Sequence, residues 1–595
     1  MTRKSWKYVL ASIMAAIFAT FGIARMSQNG VALGDERSSE RAAAKESSER
    51  PSASNVADEK LPIDPVASQI RPGDWNQWGG SPVRNNTPEG KNIATDWKAG
   101  QFDDDTGAWK RETSKNVKWV ARLGTKSNGN AAVANGKVYV GTNNGGGYLK
   151  RYPSSVDLGV LLCFNEADGK FLWQDSSEKL PTGRVNDWPE EGICSVPLIE
   201  GHRLWYVTSR GEVKCLDTEE RKPGTTDEPK VIWVLDMMKK LGVQQHNMCS
   251  CGVTSVGDLL FVNTSNGIDV DHSYIPAPSA PSFMCLDKNT GKVHWTDNSP
   301  GKNILHGQWS SPSYSVIGGV PQVLFGGGDG WLYSFLGTAE NDHNRPKLLW
   351  KFDCNPKTAK YSVGGQATRN HIIGAPLIYK GLVYIGVGED PEHAEGIGHY
   401  WCIDPTKRGD VSSELVFNAK DLQHPLPPRR LQAAIPEQGD LVRPNPNSAA
   451  VWHFDHFDLN HNGKIETEET MHRTCGTAAI KNDLLFIPDF SGILHCLDAK
   501  TGKPHWNYDL YSACWGSCLI VEDKVYVGNE DGDVFIFRLS PKMEVISKKE
   551  DGMPGGIEMG SAVYSTPIVA QNTLFITSRN YLFAITPSTQ VAATK

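Results

Sequence analysis

No stretch of this sequence gathers lysine and arginine into a stripe with interleaved aromatics, and that sets nucleic acid aside as a partner. No C-x-x-C-H occurs, so covalent haem attachment is excluded. Twelve cysteines are present, yet Cys249-Ser250-Cys251 has the wrong spacing for a C-x-x-C zinc pair. No cysteine follows the apolar N-terminal run, which excludes a lipoprotein-type anchor. Charge is not extreme either. The net is −7, with 22% charged and 39% hydrophobic residues, the balance of an ordinary globular chain.

What is present is repetition. NEADGKFLW (165–173), DKNTGKVHW (287–295) and DAKTGKPHW (498–506) share one plan: an acidic or amide residue, a turn ending in Gly-Lys, then a strand ending in Trp. Asp or Asn opens the turn and glycine takes the positive φ. The ring of Trp173, Trp295 or Trp506 is then available to bury against a neighbouring unit. Looser copies place Trp119, Trp233 and Trp350 in the same slot, with Phe417 standing in once. Upstream of each lie short β-rich runs around glycine-containing turns. Eight innermost strands are expected to start near Asn130, Ser195, Gly252, Ser311, Ala375, Gly476, Gly516 and Ser565.

A fixed unit recurring along a chain signals a repeat architecture. The prediction is an all-β fold: an eight-bladed β-propeller of four-stranded antiparallel blades over residues 73–587. The eighth set has no Trp strand after it, whereas VKWVARL near the N-terminus is spare. That N-terminal strand is expected to close the ring as the last blade's outer strand.

Ahead of the propeller, residues 1–24 read as an export signal. Arg3, Lys4 and Lys7 precede the uncharged run Tyr8–Ala24, which is either cleaved or kept as an anchor. Residues 25–72 lack an apolar period and read as a disordered tether; 588–595 are a tail. The expected location is the periplasm or cell envelope, with membrane contact only through the N-terminal segment. Cys163, Cys215, Cys285, Cys402 and Cys496 fall in one repeat slot and read as small buried core residues. Cys194, Cys249, Cys251, Cys475, Cys514 and Cys518 lie near inner strands, with pairing left open.

One metal motif is sharp. DLNHNGKIETEE (458–469), within an insert at 455–472, fits an EF-hand calcium loop. Asp458, Asn460 and Asn462 take positions 1, 3 and 5, and Gly463 takes the sharp turn at 6. Lys464 offers its carbonyl at 7, Glu466 acts at 9 and Glu469 binds bidentately at 12. SAAVWHFDHFD is expected to form the entering helix, and ETEETMHR a short exiting one. The acidic GNEDGDV (528–534) and GGDGW (327–331) read instead as hairpin turns.

Residues just before each innermost strand rim one mouth of a propeller's channel. These are Asp187 and Trp188; His246 and Asn247; His306, Gln308 and Trp309; Arg369, Asn370 and His371; His472 and Arg473; Trp515; Glu558 and Tyr564. The expected ligand-binding set is His246, His306, Trp309, Arg369, His371, His472, Arg473 and Trp515, a polar and aromatic pocket.

The turn-Gly-x-x-Trp signature, with DWNQWGGSPVRNN (74–86) and MHRTCGTAAIKNDLLFIPDFSGILHCLDAKTGKPHW (471–506), resembles the repeat of pyrroloquinoline quinone (PQQ) enzymes and their non-enzymatic relatives, in particular secreted PQQ-like propellers of planctomycete type. The resemblance implies the propeller fold and raises PQQ, a flat tricarboxylate, as a cofactor beside calcium. Arginine and tryptophan at the mouth suit PQQ by ion pairing and stacking. The adjacent Cys-Cys pair of quinoprotein alcohol dehydrogenases is missing, however, and no calcium set with a catalytic Asp is assignable at the rim. The favoured reading is an exported binding or scaffold propeller, similar to the propeller subunit of outer-membrane protein assembly. Its partner is an envelope protein or a small-molecule ligand. The alternative is a PQQ-dependent dehydrogenase with a divergent site.

Overall fold

Eight antiparallel sheets follow one another along the chain in the computed structural model, which describes residues 70–103, 105–362, 368–388 and 396–587. The export segment, the tether up to residue 69 and the tail lie outside the described residues. No described helix is long and apolar enough to cross a membrane. The innermost strands are Ala132–Ala134, Leu198–Glu200, Thr254–Val256, Ser313–Ile317, Leu377–Tyr379, Ala479–Lys481, Leu519–Val521 and Ile568–Ala570. Each begins two or three residues after its expected start. Blades are numbered one to eight in that order. Blade four adds a fifth strand, Gly409–Asp410, parallel to Leu348–Asp353. Blade eight takes its outer strand from Val117–Arg122, antiparallel to Tyr581–Ile585.

The repeat's tryptophans lock one blade to the next. In the outer strands, Trp173, Trp233, Trp295, Trp452 and Trp506 each stand opposite a cysteine of the third strand: Cys163, Cys215, Cys285, Cys402 and Cys496. Small thiols leave room for the indole, and none of the twelve cysteines forms a disulfide. Each ring then reaches the following blade. The indole N–H of Trp119 donates to Glu166 O at 3.0 Å, that of Trp233 to Lys288 O at 3.0 Å, and that of Trp452 to Ala499 O at 2.9 Å. Three residues past each acceptor is the turn glycine: Gly169, Gly291 or Gly502, with φ of 71°, 72° and 71°. A Cβ there would lie 2.6–2.7 Å from the indole. Glycine is therefore required twice, for its backbone and for its missing side chain.

This lock corrects two expectations about blade five. Phe417 does not take the tryptophan slot: Glu414–Asn418 pairs with Asp440–Pro444 in a separate hairpin. Trp452 takes it, on Ala450–Phe454, which pairs with Tyr400–Ile403. The same strand removes the entering helix expected before the calcium loop. Its side chains alternate between exposed and buried, the period of a strand.

A second set of contacts surrounds the axis. The Ala375 amide donates to Thr477 Oγ1 at 2.9 Å, Thr477 to Ser517 Oγ at 2.7 Å, and Ser517 to Thr566 Oγ1 at 2.8 Å; Thr566 donates to Asn130 Oδ1, joining blade eight to blade one. Residues 75–86 then touch the inner strand, or the residue leading into it, of every blade. Trp75 bridges Val133, and the amides of Ile199, Tyr314, Ile378 and Ile520 donate to the carbonyls of Asn76, Pro82, Val83 and Asn86. Asn85 exchanges hydrogen bonds with Ile480, and Asn86 reaches Pro567 O. Arg84 is fully buried and donates to the carbonyls of Trp78, Val253 and Pro312. A segment bonded to all eight blades at their inner strands lies across the ring axis and plugs it.

The lock yields a controlled test. At Gly381 (φ 80°) an added methyl would find nothing within 4 Å, whereas the corresponding methyl at Gly502 would meet the Trp452 ring. Gly381→Ala is expected to cost about 1 kcal/mol through backbone strain alone. Gly502→Ala is expected to cost a further ~1–3 kcal/mol through the steric clash. Urea unfolding of both variants checks this, and equal losses would show that the indole contact is unimportant.

Candidate functional site

The connectors leading into blades three, four and five carry His246, His306 with Trp309, and His371. The structure brings these four together. The His246 and His306 rings stand 4.3 Å apart, His306 and Trp309 5.3 Å, His306 and His371 5.4 Å, and Trp309 and His371 5.7 Å. Glycines permit the crowding: a Cβ at Gly307 would lie 2.3 Å from the Trp309 ring, and one at Gly267 2.5 Å from His246 Cβ. Trp309 is half-buried and its indole N–H donates to Met248 O at 3.1 Å. A residue that sequence reasoning missed, His272, joins the patch 5.0 Å from His246 and 4.7 Å from His306. It sits on the long hairpin between Leu259–Asn263 and Phe283–Asp287 of blade three. That hairpin's length, against tight turns such as 489–492 in blade six, was the available signal.

Arg369 is a neighbour in sequence but belongs to a different group. Its guanidinium, 2% exposed, lies 3.3 Å from Asp353, which also accepts from Lys357 Nζ at 2.8 Å. Burial opposes ionisation of Asp353, but Arg369 and Lys357 outweigh it and hold the carboxyl below the usual range. Beside it, burial pushes the Asp329 carboxyl up to about 6, against a 2.6 Å hydrogen bond from the Tyr333 hydroxyl.

His472 forms a third group. Its Nδ1 lies 2.9 Å from Asp489, which also meets His495 Nε2 at 2.9 Å. Arg473 is buried, and a Cβ at Gly396 would lie 2.7 Å from its guanidinium. Trp515 packs edge-on against Phe490 and Tyr564, at 5.2 and 5.5 Å, and its indole donates to Glu530 at 3.3 Å. Of the eight residues expected at the mouth, His246, His306, Trp309 and His371 are therefore in mutual contact, while Arg369 pairs with Asp353, His472 with Asp489, and Trp515 packs on Phe490 and Tyr564. Glu558 is not on the rim: it lies exposed on the short outer strand Ile557–Glu558 of blade seven. Asp187 is buried and accepts from Lys179 and the Leu180 amide.

The calcium-type loop closes on itself. Asp458 accepts from the amides of Asn462 (3.1 Å) and Gly463 (2.9 Å), and Gly463 has φ of 80°. Glu469, 5% exposed, accepts from the amides of Leu459, Asn460 and Glu466. The side-chain amides of Asn460 and Asn462 both donate to Glu466. Oxygen donors from positions 1, 3, 5, 9 and 12 are therefore linked in one hydrogen-bonded loop, in which Glu469 Oε1 accepts two amides and Glu469 Oε2 one. The exit is a single 3-10 turn, Thr467–Glu469. Beside the loop lies a cavity of about 510 Å³ whose lining includes His399, Asp455, His456 and Ile465. Burial, then the neighbouring His453, pulls His399 down to about 4.

A family model described as "Outer membrane protein assembly factor BamB" matches residues 437–543, a span that includes blade six. No curated protein matches the chain. Among solved structures, BamB from Moraxella catarrhalis is 14% identical over 78% of this chain and 95% of its own, with a TM-score of 0.43. The quinohemoprotein alcohol dehydrogenase ADHIIG from Pseudomonas putida HK5 is 11% identical over 86% of this chain and 80% of its own, with a TM-score of 0.50. A europium-containing methanol dehydrogenase is 11% identical over 87% and 98%, with a TM-score of 0.40. At these identities the likeness is one of fold.

Asp489 supports a pH prediction. Burial opposes its charge, but hydrogen bonds from His472 and His495 hold its carboxyl down at about 2. The folded value is below the unfolded one. Its contribution is therefore complete above about pH 4 and is lost as pH falls from about 4 to 2, and it amounts to about 2 kcal/mol. Asp489→Asn should lose about that much at pH 7 and show a flatter decline between about pH 4 and 2.5 in urea melts. A parallel decline in both proteins would rule the linkage out.

Proposed function

We propose that this chain is a non-catalytic propeller of the cell envelope that binds a partner protein or small molecule through the aromatic and imidazole patch of His246, His306, Trp309 and His371. The observation that carries the reading is how the mouth's charges are used. Arg369 is buried against Asp353, and His472 is hydrogen-bonded to Asp489, so these side chains support the wall. What the connectors of blades three to five present instead is a close-packed patch with Trp309 half-buried. A half-buried tryptophan among imidazoles suits docking, because it supplies large contact area at small entropic cost. The envelope setting draws on the export-type N-terminus and on the matched assembly-factor model.

PQQ would need cations at its carboxylates. Arg369 is already engaged with Asp353 inside the wall and does not fit that role. The alternative, a dehydrogenase with a divergent site, rests on the fold it shares with the quinohemoprotein enzyme.

Two assays decide between the readings. The full chain, cross-linked in isolated envelopes, is expected to capture a defined protein that Trp309→Ala, still folded by circular dichroism, fails to capture. PQQ- and calcium-dependent dye reduction with alcohols or sugars would reject the binding reading in favour of the enzyme.

Within this reading the 458–469 loop is a calcium clip that rigidifies the blade-five insert. Asp458, Asn460, Asn462, the Lys464 carbonyl, Glu466 and Glu469 would hold the ion. Two asparagines among the early ligands lower the loop's charge and place its affinity in the weaker, extracellular range. Calcium at about a hundred times Kd is expected to stabilise the protein by roughly 2.7 kcal/mol. Asp458→Ala should abolish both the calorimetric heat and the thermal shift. Wild type without either would refute the clip.

A further inference from the structure

We propose that His246, His272 and His306 form a metal centre for one borderline divalent transition ion, with at least one coordination position left open toward the mouth. The three side chains arrive from different segments: the connector into blade three, the long hairpin of blade three, and the connector into blade four. One ring nitrogen of each lies within 4.8 Å of the others. Around a tetrahedral ion, with Zn–N bonds of about 2.0–2.1 Å, such nitrogens stand about 3.3 Å apart. Small rotations of the rings therefore suffice to close the set. His246 and His306 are 1% and 0% exposed, and His272 is half-buried.

The surroundings treat these residues as ligands rather than as filler. His246 Nδ1 lies 3.0 Å from Ile268 O. A carbonyl can only accept, so Nδ1 carries the proton and Nε2 the lone pair, the tautomer a metal takes. The Ile268 amide in turn donates to His306 O at 3.2 Å, tying two of the ligand-bearing segments together. His272 has φ of 57°, in the left-handed region. It is held there by Asp269, whose carboxylate accepts from the amides of Ser273 (2.7 Å) and Tyr274 (2.8 Å) and from the Ser273 hydroxyl (2.9 Å).

The proline-rich insert adds a clamp. Arg430 Nε donates to Ile304 O at 2.8 Å and its Nη1 to Ser273 O at 3.3 Å, within two residues of His306 and beside His272.

Donor chemistry selects the ion. Three imidazoles suit zinc, cobalt, nickel, copper or ferrous iron, and a set without oxygen donors disfavours calcium and magnesium. Asp269 is engaged by the backbone and acts as a positioning residue. Three protein ligands with an open position are the pattern of sites that accept an exogenous ligand, in contrast to closed structural sites. The 458–469 loop, built of oxygens, is the complementary hard-ion site on the same chain.

The test is a cobalt titration of chelator-treated full-length protein in the Asp458→Ala background, with calcium in excess. Visible ligand-field bands saturating at one cobalt per chain and bleached by zinc are expected. His272→Ala, at a partly exposed loop position, should abolish the bands while circular dichroism and Tm hold. Asp269→Asn should weaken cobalt binding by about 10–100-fold without changing the stoichiometry. Absence of saturable bands, or bands unchanged in His272→Ala, would overturn the proposal. The centre does not depend on the docking reading: metal binding without a captured partner, or the reverse, separates the two.

Discussion

Burying an outer-strand indole against the next blade is the contact on which this ring depends, and at three of the junctions the indole lies on the glycine of the next blade's turn. A buried tryptophan removes roughly 150–250 Å² from water, worth at most about 4–6 kcal/mol on area scales. Its N–H also needs an acceptor, and the turn carbonyl three residues before the glycine supplies one. The pairs Trp119–Gly169, Trp233–Gly291 and Trp452–Gly502 repeat this arrangement with hydrogen bonds of 2.9–3.0 Å. Because Trp119 comes from the N-terminal strand of blade eight and Gly169 from blade one, the same contact operates at the seam. The small thiols opposite the indoles are part of this lock, since a larger side chain there would press on the ring.

Inside that frame, the axis is occupied by backbone and small polar side chains. The chain of Thr477, Ser517, Thr566 and Asn130 contacts and the 75–86 segment satisfy inner-strand amides that would otherwise face the channel. Unpaired buried amides are costly, so plugging the channel is an energetic requirement as much as a topological one. Variation is pushed outward to the connectors and long hairpins. The imidazole patch, the proline-rich insert and the calcium-type loop all lie on such segments, carried by a rigid scaffold.

The groups near the mouth divide the work. Asp353 with Arg369 and Lys357, and Asp489 with His472 and His495, are buried clusters in which a carboxylate is met by cationic or imidazole partners. His246, His272, His306, Trp309 and His371 are apolar-faced rings with nitrogen donors. The first kind is used up within the wall; the second is the patch proposed above to receive a ligand or an ion. That division separates Arg369 from His371, two positions away in sequence. The Arg369 guanidinium turns to Asp353 at the end of blade four's outer strand, while the His371 ring stands against His306 and Trp309.

Much of the fold was legible from residue order alone. Turn chemistry, strand alternation and the Trp interval are local, and each is encoded by residues within one unit; the eight inner strands and the oxygen-rich 458–469 spacing follow from them. The local pattern offered Phe417 for the blade-five slot, but tertiary structure filled it with Trp452, whose ring reaches Gly502. The entering helix failed for the same reason, since those residues were needed as a strand. His272 beside His246 and His306, Arg369 against Asp353, and the plug across all eight blades could not be read in advance. Each joins segments that only the closed ring brings together, and distance around a ring is set by blade packing, not by sequence spacing.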